Sequence, residues 1–242
     1  MQNIIKENKK NIIIIIILLT LVICLTIFIN LKNSQNTVLI NSYVSKLEKK
    51  NLKLDNSPCD LDNVLKYNNI PYFNLKNDIY DKLNEEILTE FLLRTCYQGG
   101  FVDYEASLNN NILSVALNIS YDTDDDLAYL EYKTYNVNIK NNTIMNNNEI
   151  LNLYNLNTTQ VENKVLSKLT EYYEYEKKMN YISNMSFNEY LKILKYTNIT
   201  TNNMNLYIDD KNDLYIFKDY TLSEGMSIDE DYPYITIKFK LN

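Results

Sequence analysis

Between Ile12 and Ile29 the chain runs eighteen residues without a charge, and no other feature restricts its folding as much. Leu31 carries the apolar stretch to Lys32, and within 12–29 only Thr20 and Thr26 bear hydroxyls. About twenty residues at roughly 1.5 Å rise match a hydrocarbon core of about 30 Å. A cleaved leader has a shorter apolar region, about 7–15 residues, and a small-residue cleavage site. No alanine precedes Ala106. The expectation is an uncleaved transmembrane signal-anchor helix over 12–31. Cys24, in "LVIC", raises lipidation as a rival. However, Ile23 stands where Gly or Ala is usual, and the residues after Cys24 stay apolar, so an apolar residue in a helix is the favoured reading.

Lys6, Lys9 and Lys10 precede the run against Glu7, and only Lys32 follows it closely. An excess of lysine stays in the cytoplasm. Residues 1–11 are therefore expected as a cytoplasmic tail, with the C-terminal domain extracellular on a single-pass cell-membrane protein. The whole chain carries −7 and the tail contributes +2, which leaves −9 for the rest. An acidic domain repels nucleic acid and attracts basic polypeptides or divalent cations; solubility alone is the plainer use.

About 210 residues follow the anchor, enough for one large domain or two small lobes. There is no His or Trp, one Arg (Arg94) and three Gly, with abundant Asn, Ile, Lys and Tyr. A genome poor in G and C accounts for that bias, and also for chance Asn-x-Ser/Thr matches at Asn118, Asn141, Asn157, Asn184 and Asn198. They are not read as glycosylation sites. Cys59 and Cys96 either pair, closing a loop worth a few kcal/mol in an oxidising compartment, or remain thiols.

Residues 32–66 read as a stalk. An extended "NNIPYF" leads to an amphipathic helix marked by Ile79, Leu83, Ile87 and Phe91, which Gly99-Gly100 stops. Alternation then predicts strands. In "ILSVALNISY", Leu113, Val115, Leu117, Ile119 and Tyr121 share one face. A second part opens with a helix expected to carry a Thr159/Glu162 capping box and an inward line of Val161, Val165, Leu169 and Tyr172. A second helix has Ser186/Glu189, and a hairpin and last strand close the chain. The expected class is α+β, with antiparallel sheets packed with helices in two lobes, 67–155 and 156–242, preceded by one transmembrane helix.

Three stretches, "NIPYFNLKNDIYDKLNEEI", "NNNILSVALNISY" and "YKTYNVNIKNNTIMNNNEIL", resemble the outward module of PdaC- and RsiV-like envelope proteins of Gram-positive bacteria. The tail "NLYIDDKNDLYIFKDYTLSEGMS" is similar to that family's second part, with Tyr220 and Gly225 at its aromatic and glycine positions. The resemblance covers roughly 66–240. It departs where a Gly-Ala-His stretch is common and this chain has "DTDDDLAYLEY". The chain also lacks the anti-sigma and deacetylase domains of those proteins. The resemblance implies an outward binding or sensing module.

The absence of histidine removes Ser-His-Asp triads, Cys-His pairs and HExxH zinc sites. Asp122, Asp124 and Asp126 suggest a weak calcium site, but Leu127 stands where a calcium loop needs Gly and Lys133 where it needs Glu, which favours a solvated turn. Tyr172, Tyr173 and Tyr175 are either a sugar-stacking face or core. No cofactor and no catalytic residues are expected. The reading is a non-catalytic envelope protein that recognises a cell-wall glycan or a basic extracellular protein. The alternatives are a wall-glycan hydrolase using two carboxylates and a structural subunit of a membrane complex.

Overall fold

Asparagine does in this chain what glycine does in most. Among the described residues seven that are not glycine have positive φ, and six are asparagines: Asn110, Asn111, Asn142, Asn155, Asn180 and Asn212. Asparagine tolerates the left-handed region better than other side chains. The computed structural model describes residues 18–27, 37–52, 59–92, 95–96, 100–122, 128–182, 184–221 and 234–242.

The chain divides into two units, residues 1–42 and 43–242. In the first, residues 18–27 are helical, with Leu18, Leu21, Val22 and Leu25 exposed. The transmembrane signal-anchor helix expected over 12–31 is corrected here. Among the described residues no helix is long and apolar enough to cross a membrane. The ten described helical residues span about 15 Å. Residues 12–17 and 28–31, on which the rest of that expectation falls, lie outside the described residues.

The second unit is α+β with antiparallel sheets. Strand β1 (Val44–Lys46) and strand β2 (Pro71–Phe73) pair in a small ribbon. Between them stands helix α1 (Leu61–Tyr67), whose N-cap Asp60 accepts from the N–H groups of Asp62 and Asn63. Strand pairing and a helix thus occupy part of the stretch read as a stalk. Helix α2 (Asp78–Ile87) buries Tyr80, Leu83, Asn84 and Ile87. It continues into a π turn, Leu88–Leu92, that carries Phe91 and Leu92 inward.

The main sheet follows, in the order β3 (Phe101–Asn109), β4 (Ile112–Asp122), β5 (Ala128–Asn138) and β6 (Thr143–Ile144). Asn110 and Asn111, at φ 47° and 65°, form a two-residue turn that locks the β3–β4 register. On one face Leu113, Val115, Leu117 and Ile119 are fully buried. Lys133 of β5 reaches the carboxylates of Glu86 and Glu90 on the helix side, tying helix to sheet.

Three helices come next: α3 (Asn147–Leu153), α4 (Thr158–Lys178) and α5 (Phe187–Ile193). The capping box of α4 is Asn157 with Gln160, two residues ahead of the expected Thr159/Glu162; that of α5 is Ser186 with Glu189. All three helices end alike. Asn155, Asn180 and Lys195 take positive φ. The following N–H groups, of Leu156, Tyr181 and Tyr196, return to the carbonyls of Leu151, Glu176 and Leu191, which is the Schellman closure. Val161, Val165, Leu169 and Tyr173 of α4 pack on the second sheet, β7 (Asn205–Ile208), β8 (Leu214–Thr221) and β9 (Tyr234–Lys240), against Leu206, Ile208, Leu214 and Ile216. Tyr172, expected inward, is 40% exposed. Tyr173 lies four residues after Leu169, closer to the helical repeat than Tyr172 at three.

The outer edge of β7 lies on the face of the main sheet, where three polar side chains meet it. Asn136 Nδ2 donates to the Leu206 carbonyl at 2.8 Å, and Ile208 N–H donates to Ser114 Oγ at 3.0 Å. Ser114 Oγ donates to Asn136 Oδ1, and Ser107 Oγ donates to the Ile208 carbonyl. All three residues are buried. A strand edge without a partner strand is thereby satisfied inside the protein.

Candidate functional site

Beside that docking line the same sheet face opens into a cleft of about 230 Å³. Pairing aligns Asp103 with Asn118 and Asn118 with Tyr132, and places Glu105 opposite Ala116. Strand alternation therefore puts Asp103, Glu105, Asn118 and Tyr132 on one face. Ala116, 2% exposed, packs with Tyr207 and Phe217, and its short side chain gives the cleft depth. Tyr132 stacks on Phe217 with ring centroids 4.5 Å apart. Lys238 of β9 reaches across, 3.1 Å from Glu105 Oε1 and 4.8 Å from the Phe217 ring centre.

Most polar groups here are satisfied. Asp103 Oδ1 accepts from Asn69 Nδ2 at 3.1 Å and from Tyr104 N–H at 2.8 Å. Burial raises the Tyr104 hydroxyl above its ordinary pKa, with a further push from Asp103. Asn118 differs: its Oδ1 is shut off from solvent and has no hydrogen-bond partner among the described residues. A buried unpaired acceptor costs about 1–3 kcal/mol. Asn118 itself lines the cleft. The lining thus offers carboxylates, an amide oxygen and aromatic rings, with one lysine already engaged.

A different arrangement surrounds Lys133. Its ammonium contacts both Glu86 and Glu90, and Tyr135 OH donates to Glu86 at 3.2 Å. Burial alone lowers the Lys133 pKa, but the two glutamates outweigh it and the net shift is upward. The lysine bridges the two carboxylates and so fastens β5 to the helix.

Glu176 of α4 faces Tyr190 of α5. Burial raises the Glu176 pKa, and the Tyr190 hydroxyl offsets part of that rise. A carboxyl with a raised folded-state pKa adds stability below the ordinary value of 4.5 and loses it as pH climbs through the folded value. Glu176→Gln is therefore expected to raise Tm by about 2 °C near pH 7 and to leave it unchanged near pH 4, read by paired thermal melts.

The structure joins Cys59 to Cys96, with Cα atoms 5.5 Å apart. Cys24 is exposed and free. Tyr173 is core, whereas Tyr172 and Tyr175 are exposed, so the three do not form one face. Tyr220 is 3% exposed and stacks with Tyr196, centroids 5.9 Å apart. Gly225, Asp124 and Asp126 lie outside the described residues, and Asp122 is the last residue of β4. Among the described residues no group of three or more Cys, Asp or Glu is placed to hold a metal ion.

The sequence marked Asn118 only as a chance Asn-x-Ser match, and Tyr132 and Lys238 carried no mark. Alternation in "FVDYEASL" was enough to put Asp103 and Glu105 on one face, but Lys238 joins them across 133 positions. No family model matches the chain, and no curated protein matches it.

Proposed function

We propose that residues 43–242 form a non-catalytic binding module that works outside the cytoplasm and receives a cationic group of a basic polypeptide in the cleft lined by Asp103, Glu105, Asn118 and Tyr132. The observation that carries this reading is Asn118 Oδ1, a buried acceptor without a donor beside two carboxylates. A guanidinium or ammonium has donors only and suits such a lining. Tyrosine faces add cation–π attraction.

Size and charge agree. A volume of about 230 Å³ falls below the roughly 300–1,000 Å³ typical of small-molecule pockets and fits one long side chain. Asp103 and Glu105 outweigh Lys238, and the −9 carried outside residues 1–11 draws basic partners from a distance. The Cys59–Cys96 bond suits an oxidising compartment. The resemblance to PdaC- and RsiV-like outward modules supports a binding role by analogy.

Calorimetric titration of the full chain with hexa-arginine tests the reading. Asn118→Leu and Asp103→Asn should each weaken binding about tenfold, from the loss of one charge-assisted hydrogen bond. Lys238→Ala should tighten it a few-fold, because Lys238 competes for Glu105. Weaker binding in Lys238→Ala, or Asn118-dependent binding of a purified muropeptide in place of the peptide, would overturn the cationic ligand.

A further inference from the structure

Strand edges in this protein are closed by asparagine side chains. Asn84 of α2 accepts from Phe73 N–H at 2.8 Å and donates to the Phe73 carbonyl at 2.9 Å, pairing with β2 as a neighbouring strand would. Asn136 Nδ2 donates to the Leu206 carbonyl of β7, and Ser114 Oγ takes the Ile208 N–H. At the start of β3, Asn68 Oδ1 accepts from Val102 N–H, and Asn69 N–H donates to the Val102 carbonyl. These bonds identify the even-numbered residues of β3 as those whose backbone groups point away from β4. The two-residue turn after Asn109 requires the same assignment, because it makes Asn109 and Ile112 a hydrogen-bonded pair.

Beyond Tyr104 the closure stops. Tyr104 N–H is taken by the Asp103 side chain. For the outward N–H and C=O groups of Ala106 and Leu108, no partner occurs among the described residues, and β3 is the end strand of its sheet. Tyr104–Leu108 is a segment of about 17 Å. Unpaired edge groups of this kind are a template for an incoming strand.

We propose that β3 takes an extended basic segment of another polypeptide as an added strand along Tyr104–Leu108, which presents its alternate basic side chains to Asp103, Glu105 and the cleft. This mode rests on the cationic ligand proposed above and names how it is held. Alternation decides the occupant. On the cleft side the added strand lies beside Asp103 and Glu105, so basic residues fit there; on the other it lies beside Tyr104, Ala106 and Leu108, so apolar residues fit. A second copy of this chain would bring its own Asp103 and Glu105 against the first pair, and like charges disfavour it.

Fluorescence anisotropy of the full chain with a labelled heptapeptide of alternating lysine and valine tests the mode. The peptide should bind, and its glutamate–valine counterpart should not. Methylating the backbone nitrogens that face β3 should weaken binding at least about tenfold while leaving every side chain in place. Ala106→Pro should do likewise with Tm unchanged, since the Ala106 N–H serves no ladder bond. Equal binding of the methylated peptide overturns strand addition; if Asn118→Leu still weakens that binding, the cleft reading stands. No binding of either this peptide or hexa-arginine removes both. A dimer of the free chain that Ala106→Pro dissolves would assign the edge to a second copy and overturn the proposal.

Discussion

Breaking the Cys59–Cys96 bond is expected to lower stability by about 4 kcal/mol, the chain-entropy value for a sequence separation of 37. For a unit of this size that is a fall in Tm of about 10 °C. The bond joins the residue just before the N-cap of α1 to the chain beyond the π turn, so it restricts the unfolded ensemble across both helices. Cys59→Ser, Cys96→Ser and wild type in reductant should melt together. The double variant should fall no further, because one cross-link is lost in every case. A loss below about 1 kcal/mol in wild type under reductant would show that the cross-link hardly restricts the unfolded chain.

Asn136→Ala is the second large loss, about 3 kcal/mol, read as a lowered denaturation midpoint with unchanged slope. The substitution leaves the Leu206 carbonyl and the Ser114 hydroxyl without their partner inside the protein. Thr134→Ala, on the same face of β5, should change stability by less than about 0.5 kcal/mol. Coupling gives a sharper check. In a Ser114→Ala background the Asn136→Ala effect should shrink by about 1 kcal/mol or more, because the two side chains serve one strand edge. Additive losses would mean that they act separately and that the edge is held by other means.

Much of the secondary structure was legible because its causes are local. The alternation of Leu113, Val115, Leu117 and Ile119 encodes a buried sheet face, and all four are fully buried. Ser186 and Glu189 mark the start of α5 three residues apart. Where local reasoning slipped on the second unit, it slipped by a residue or two: Tyr173 in place of Tyr172, and Asn157 in place of Thr159. The long apolar run was read from its length, its flanking lysines and the lack of a cleavage site, and it supplied the one element of the architecture that the described helices do not provide.

The asparagines were legible in number and not in role. Codon bias explains their abundance, yet those at positive φ end helices and turn hairpins, which are local tasks of a kind a sequence reveals. Asn84, Asn68 and Asn136 serve strand edges 11, 34 and 70 positions away, and no spacing rule predicts those partners. The cleft is likewise a product of register, because Asp103, Asn118, Tyr132 and Lys238 meet only after two sheets have paired and docked. The sequence by itself determined the α+β class, the acidic charge and the faces of the strands, since short-range sterics and burial decide those. Tertiary structure alone decided which side chains close an edge, which edge stays open and where an acceptor goes unpaired, because each depends on contacts between residues far apart in the chain.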